Sequence, residues 1–195
     1  MHSSPQARGS SMNTKIAIAL PTNRKISPKA ALSLLELANN TKYELEIIVS
    51  TRGYNCAENK NYIVAQAIKK DCTHIFCCDD DMIYEPETIE KLLASDKDIV
   101  GGLYNTKYET QSYVIEYLET AQECKELFEC KALGTGLLLI KAEVFKKVPQ
   151  PWFGYQWHDN GMIKESVDWF FCRKARENGF KIYCNPTIKS GHLKL

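Results

Sequence analysis

The stretch Thr73-His74-Ile75-Phe76-Cys77-Cys78-Asp79-Asp80-Asp81-Met82 carries the main reading of this chain. Residues 74–78 form an apolar run of strand length, in which Cys77 and Cys78 point to opposite faces. Three carboxylates follow at once. Glu85-Pro86 then opens a helix with Ile89, Leu92 and Leu93 on one face, and residues 98–102 (DIVGG) form the next strand. Upstream the same alternation holds. Residues 15–20 (KIAIAL) read as a buried strand stopped by Pro21-Thr22-Asn23. Ser27-Pro28 supplies an N-cap and a proline at the first helical position. The helix that follows predicts Ala31, Leu34, Leu35 and Ala38 as its inward face. Residues 45–49 (LEIIV) are a second strand, and residues 58–70 a helix with Ile63, Val64, Ala67 and Ile68 inward.

Strand and helix alternating at this spacing predict right-handed βαβ units and a mainly parallel central sheet flanked by helices, an α/β class. After Tyr104 the regularity changes. Residues 112–118 (SYVIEYL) alternate like an edge strand, and residues 136–140 (GLLLI) read as a buried strand followed by a short helical turn. Residues 149–164, rich in Pro, Trp, Gly and His, read as a long irregular segment, of a length typical of lids that close over a ligand. A last helix over 166–178 ends at Gly179 as a C′ residue, and residues 181–184 (KIYC) are a last strand. Residues 12–195 thus form one domain. Residues 1–11 (MHSSPQARGSS) are polar, lack periodicity and are expected to be a disordered leader.

Composition narrows the functions open to it. The 195 residues are 44% hydrophobic and 25% charged, enough for a sizeable core. Twenty-five Lys and Arg against 24 Asp and Glu give a net charge of +1, which argues against an unspecific nucleic-acid binder. No stretch approaches the roughly 20 apolar residues of a membrane span. The eight cysteines contain no C-x-x-C pair, against a zinc ribbon or a thioredoxin motif. With no secretory signal visible, reduced thiols in a cytoplasmic protein are expected.

In open α/β sheets, ligands bind at the carboxyl ends of the strands. Asp79-Asp80-Asp81 lies at one such end. Adjacent carboxylates repel, and a divalent cation relieves that repulsion. Asp79 and Asp81, two apart, can give hard oxygen ligands to Mg²⁺ or Mn²⁺, which in turn hold a diphosphate. A solvated acidic loop is the plain alternative.

This stretch, with Asp98-Ile99-Val100-Gly101-Gly102 and Tyr104 after it, resembles the nucleotide-sugar region of GT-A glycosyltransferases, particularly the family 2-like group. Lys60-Asn61-Tyr62-Ile63-Val64 is similar to the helix those enzymes often begin with Arg-Asn. Leu133-Gly134-Thr135-Gly136, with LLLIK and Val144-Phe145 after it, resembles their acceptor-side strand and turn. Asp168 to Cys172 with residues 179–183 resembles their catalytic helix, and Ser190-Gly191-His192 their C-terminal histidine. Each match is weak; together they span residues 15–192 in the family's order.

The resemblance implies a metal-dependent hexosyltransferase that moves a sugar from a nucleotide-diphosphate sugar, a UDP-sugar, to a hydroxyl acceptor. It places Pro21, Thr22 and Arg24 along the nucleotide with Ser50 or Thr51, and adds Lys60, Asn61, Asp79 and Asp80 to the donor site. It implies Mn²⁺ or Mg²⁺ on Asp79, Asp81 and His192. Asp168 aligns with the family's catalytic Asp and is the preferred base, and a place at the helix start is expected to keep it ionised. Many relatives carry Glu-Asp there, whereas Val167 precedes Asp168; Glu165, three residues earlier, is expected near it on the helix and is the other candidate base. His74 and His158 read as structural. Trp152, Phe153, Tyr155 and Trp157 fit either a stacking surface for a sugar or base or a small satellite core. Gly134 and Gly136 fit close approach beside the acceptor or plain strand-entry geometry.

Two other functions compete. A nucleotidyltransferase shares the topology but is expected to carry a Gly-rich basic loop after the first strand, and PTNRK has no Gly. A non-catalytic nucleotide-sugar-binding module is separated by measuring donor turnover. The acceptor stays open among glycan, protein, small molecule and modified nucleic acid.

Overall fold

The first strand is buried from Ile16 onward, as its unbroken apolar run requires. The computed structural model describes residues 14–22, 25–106, 112–119 and 124–193. The leader at 1–11 and Arg24 lie outside the described residues. In chain order the first half is β1 (Lys15–Pro21), α1 (Pro28–Asn40), β2 (Glu44–Ser50), α2 (Cys56–Lys69), β3 (His74–Cys78), β4 (Met82–Ile83), α3 (Thr88–Ala94) and β5 (Ile99–Tyr104). The second half is β6 (Ile115–Glu116), β7 (Phe128–Cys130), β8 (Ala132–Leu133), β9 (Leu137–Lys141), α4 (Ala142–Lys147), β10 (Gln156–Trp157), β11 (Ile163–Glu165), α5 (Val167–Glu177) and β12 (Ile182–His192).

The central sheet runs in the order β2-β1-β3-β9-β5-β12-β4, with β7 also paired to β12. Strands β1, β2, β3, β5 and β12 point the same way; β9 runs antiparallel between β3 and β5. That reversal matters for the site. It brings the residues entering β9 to the end where β3 and β5 finish. The sheet separates two apolar layers: Ile63, Val64, Phe145 and Phe171 pack on one face, and Leu37, Ile89 and Leu92 on the other. Cys77 belongs to the first layer and Cys78 to the second, as strand alternation requires.

Local chemistry sets the helix starts. Asn55 caps α2 by accepting from the Glu58 N–H, while the Glu58 carboxylate accepts from the Tyr54 N–H, a reciprocal cap. The predicted inward face of α1 is corrected. Ala30, Ser33 and Leu37 are buried and Leu35 is 59% exposed, because the Ser33 hydroxyl is drawn inward by the Ala30 carbonyl and the Tyr84 N–H. Helix α3 starts at Thr88, after Glu85-Pro86 rather than on it.

Three further expectations change. Residues 112–118 give no strand of the central sheet. Only Ile115–Glu116 pair, with β8, and Tyr113 bridges Asn105. Residues 149–164 are not irregular throughout. Strands β10 and β11 form a hairpin whose turn holds Asn160 and Gly161, the latter at φ +80. The Asn-Gly pair between Trp157 and Met162 was the sequence mark for it. The last strand runs on to His192, with an irregular register between Cys184 and Lys189.

Candidate functional site

A cleft of about 430 Å³ opens where β1, β3 and β5 end and the chain enters β9. Pro21, Thr22, Cys56 and Asn59 line it, then Asp79, Asp80 and Asp81, then Tyr104, Thr106, Val114 and His192, with Asp168 from the first turn of α5. Carboxylates from the end of β3 and the start of α5 thus face one space.

A buried ammonium joins them. Lys60 is only 5% exposed; its Nζ lies 2.5 Å from Thr135 Oγ1 and 3.4 Å from Asp79 Oδ1. Thr135 Oγ1 lies 2.5 Å from Asp168 Oδ1. Burial alone works against the Lys60 charge, yet Asp79 and Asp168 hold its pKa well above the ordinary lysine value. For Asp168, burial pushes the pKa up, and the pull of Lys60 and the hydrogen bonds from Thr135 do not offset it. The helix start therefore does not keep Asp168 as readily ionised as expected. Desolvation outweighs the dipole, and the carboxylate is a stronger base than a solvated aspartate.

The acidic run is held piece by piece. The Thr22 hydroxyl donates to Asp80 Oδ2 at 2.5 Å. Asp81 is buried, with Oδ1 3.4 Å from His192 Nε2. His192 Nδ1 lies 2.8 Å from the Asn105 carbonyl, which can only accept, so Nδ1 carries the hydrogen and Nε2 is turned toward the Asp81 carboxylate. An imidazole fixed through one nitrogen by a carbonyl, with the other beside a carboxylate oxygen, is the arrangement that metal-binding histidines adopt. Among the described residues, no three His, Cys, Asp or Glu side chains converge as a metal cluster. Asp79 stands with Lys60 rather than with the Asp81–His192 pair.

Two tyrosines brace the entry to β9. The Tyr84 hydroxyl donates to the Gly136 carbonyl at 2.7 Å and accepts from the Asp79 N–H, and the Tyr104 hydroxyl accepts from the Gly136 N–H. A Cβ at Gly134 would overlap the Tyr104 hydroxyl, so this turn takes glycine for close packing.

Other expected donor-site residues lie elsewhere. Asn61 holds the backbone of Trp152 and Phe153, accepting from both N–H groups and donating to the Phe153 carbonyl. Its neighbour Asn59 faces the cleft instead, its Oδ1 accepting from the Ser50 hydroxyl and the Gly53 N–H. The Asn59 Nδ2 is buried with no hydrogen-bond partner among the described residues. Ser50 is buried behind Asn59 and Thr51 is exposed; neither lines the cleft. Trp152 and Phe153 belong to the core, packed with Phe145 and Phe171, while Tyr155 and Trp157 pair at 5.8 Å and Trp157 is 58% exposed.

Glu165 is not beside Asp168 on the helix. It ends β11, and both its oxygens bind the Arg173 guanidinium at 3.0–3.1 Å. It lines a separate hollow of about 200 Å³. The extended backbone of Ser166 between strand and helix turns the two acids apart. His74 is half-buried against the Thr73 hydroxyl, and His158 stands in the hairpin turn.

No family model matches the sequence, and no curated protein matches it. Among solved structures, the chain is similar to A197 from STIV, at 18% identity and a TM-score of 0.64 over 92% of this chain and 85% of that one. It is also similar to GalNAc-T7, in a crystal structure with UDP, GalNAc and Mn²⁺, at 12% identity and a TM-score of 0.58. That match covers 94% of this chain and 44% of GalNAc-T7, so the chain spans less than half of that protein. At these identities the likeness is one of fold, and the fold is GT-A-like and Rossmann-like. Among the described residues, no helix is long and apolar enough to cross a membrane.

Proposed function

We propose that the chain is a metal-dependent glycosyltransferase of the family 2-like group, transferring a sugar from a UDP-sugar to a hydroxyl acceptor. The observation that carries this reading is the meeting of Asp79-Asp80-Asp81 and Asp168, distant in sequence, in one cleft at the carboxyl ends of the strands. The GT-A-like fold and the UDP, GalNAc and Mn²⁺ of the GalNAc-T7 structure support it. Free cysteines, most of them buried, support a reducing, cytoplasmic setting.

Pro21, Thr22 and Asn59 would receive the nucleotide, with the diphosphate toward the acidic run. Asp81 and His192 fit a divalent cation as a half-site: one hard oxygen and one oriented imidazole, leaving the other positions to donor phosphates and water, as Mg²⁺ and Mn²⁺ sites commonly do. Bound there, the cation would supply positive charge to the departing diphosphate. Asp168 takes the proton of the acceptor hydroxyl as its oxygen attacks the anomeric carbon and the bond to the diphosphate breaks. Its raised proton affinity suits that task.

The test is release of UDP from a panel of UDP-sugars with acceptor hydroxyl compounds. EDTA should abolish turnover and Mn²⁺ or Mg²⁺ restore it. Full turnover in metal-free protein would remove the metal, and binding without turnover of any sugar nucleotide would leave only a binding module.

A further inference from the structure

The Thr135 hydroxyl lies between the Lys60 ammonium and the Asp168 carboxylate, 2.5 Å from each, and is fully buried. An ammonium can only donate, so the Thr135 oxygen accepts from Lys60. Its one hydrogen then goes to Asp168 Oδ1. The direction of both bonds is set by chemistry alone. The residue itself cannot drift, because Gly134 is packed against the Tyr104 hydroxyl and Gly136 is held by Tyr84 and Tyr104.

We propose that Thr135 and Lys60 are positioning residues for the base: the chain Lys60–Thr135–Asp168 fixes the orientation of the Asp168 carboxylate toward the acceptor hydroxyl. The proposal rests on the reading of Asp168 as that base. A carboxylate on a short side chain can rotate about its last bond, and proton transfer needs it within hydrogen-bond reach of the substrate oxygen. Thr135 removes that rotation. Lys60 makes the hydroxyl a better donor by polarising it, and it stays paired with Asp79 once Asp168 takes up the proton and loses its charge.

The groups facing Asp168 limit what else could set its behaviour. Helix α2 brings Lys60 and Cys56, and β3 with its exit brings Cys77 and Asp79. Tyr104 comes from β5 and Tyr155 from the approach to the hairpin. Among the described residues, Lys60 is the only cation of that set, and its hydrogen bond toward Asp168 runs through Thr135.

Thr135→Val keeps the shape and deletes the hydroxyl; Thr135→Ser keeps the hydroxyl. Two readouts apply to the full chain. One is the titration of the Asp168 carboxyl by carbon NMR, assigned with Asp168→Asn, which needs no substrate. The other is UDP release from UDP-sugars against pH. Thr135→Val should lower turnover roughly 10- to 100-fold, the scale of a misplaced catalytic group, while Thr135→Ser stays within about threefold of the parent chain. Thr135→Val should also raise the Asp168 titration and move the acid limb of the pH profile upward, with UDP affinity unchanged. Should the valine variant fail to fold, Thr135→Ala carries the same expectations.

An unshifted titration and unchanged turnover in Thr135→Val, with Asp168→Asn inactive, would overturn the positioning role and leave the base in place. Turnover unaffected by Asp168→Asn would instead remove the base, and this proposal with it.

Discussion

Glu165 and Asp168 are three residues apart, yet each lines a different hollow, and the two hollows treat charge in opposite ways. In the smaller, Glu165 takes both arms of Arg173, which also reaches Glu177, and Lys131 lies 3.5 Å from Glu116. Every acid there has its base. In the cleft, Lys60 is the one buried ammonium among the described residues; it pairs with Asp79 and reaches Asp168 through Thr135, while the Thr22 hydroxyl holds Asp80 and His192 stands beside Asp81. Balanced pairs brace a fold. Carboxylates gathered in a concave space repel one another and draw a cation or proton donor, which is how sites that bind or react are built.

The largest expected effect tests that division directly. Asp168→Asn should lower turnover roughly 10²–10⁴-fold, the range for loss of a positioned base, whereas Glu165→Gln should stay within about threefold. Steady-state UDP release checks both, and the reverse pattern would exchange the roles of the two hollows. The same substitution has a stability signature. The raised Asp168 pKa means that the folded chain holds this proton more tightly than the unfolded chain. Its favourable contribution is complete below the ordinary aspartate value and is lost as pH rises through the raised folded value. Near neutral pH, Asp168→Asn should therefore melt higher than the parent chain, a gain that vanishes in acid.

How far the sequence foretold this contrast depends on which physics set each part. Strands β1 and β3 were legible because they are buried on both sides and leave unbroken apolar runs, and the inner face of α2 because its apolar residues recur at helical spacing. The inward face of α1 lies one position from the one its apolar spacing predicts, since the polar Ser33 is turned in toward the Tyr84 N–H and Leu32 and Leu35 are left exposed. Asn59 and Asn61 stand two apart on α2 and so point different ways. Only the order of the strands decides that Asn59 meets the cleft and Asn61 the Trp152–Phe153 backbone. Glu165 was placed by helical spacing, but it is in a strand, where that spacing has no meaning. Tyr84 left no mark in the sequence, because its role is set by the reversal of β9 beside β3.

Next in size is the loss of the shared cation. Lys60→Met should destabilise the chain by about 3–5 kcal/mol near neutral pH, the usual result of stripping one partner from buried charges. Urea unfolding measures it. The loss should shrink as pH falls and the carboxylates take up protons. Because the folded pKa of Lys60 is raised, titration of the lysine itself removes its stabilisation only as pH climbs through that raised value, so the change on the acid side comes from the carboxylates alone. Wild-type stability in Lys60→Met would mean that the acids of the cleft are already neutral, and the contrast between the hollows would dissolve.

The smallest effect belongs to the balanced hollow. Glu165 is nearly buried and Arg173 is 35% exposed, so solvent screens their bidentate pair in part. A double-mutant cycle of Glu165→Gln with Arg173→Gln isolates this pair from the bond that Arg173 makes to Glu177. The coupling should be about 1 kcal/mol, the upper part of the range for partly exposed pairs with good geometry, and salt should weaken it. Turnover should not follow it. The pair joins the end of β11 to α5 one turn beyond Asp168, so a purely structural brace can loosen without moving the carboxylate that Thr135 already holds. A coupling several times larger, accompanied by loss of UDP release, would show that the brace aims Asp168 and that the two hollows act as one site.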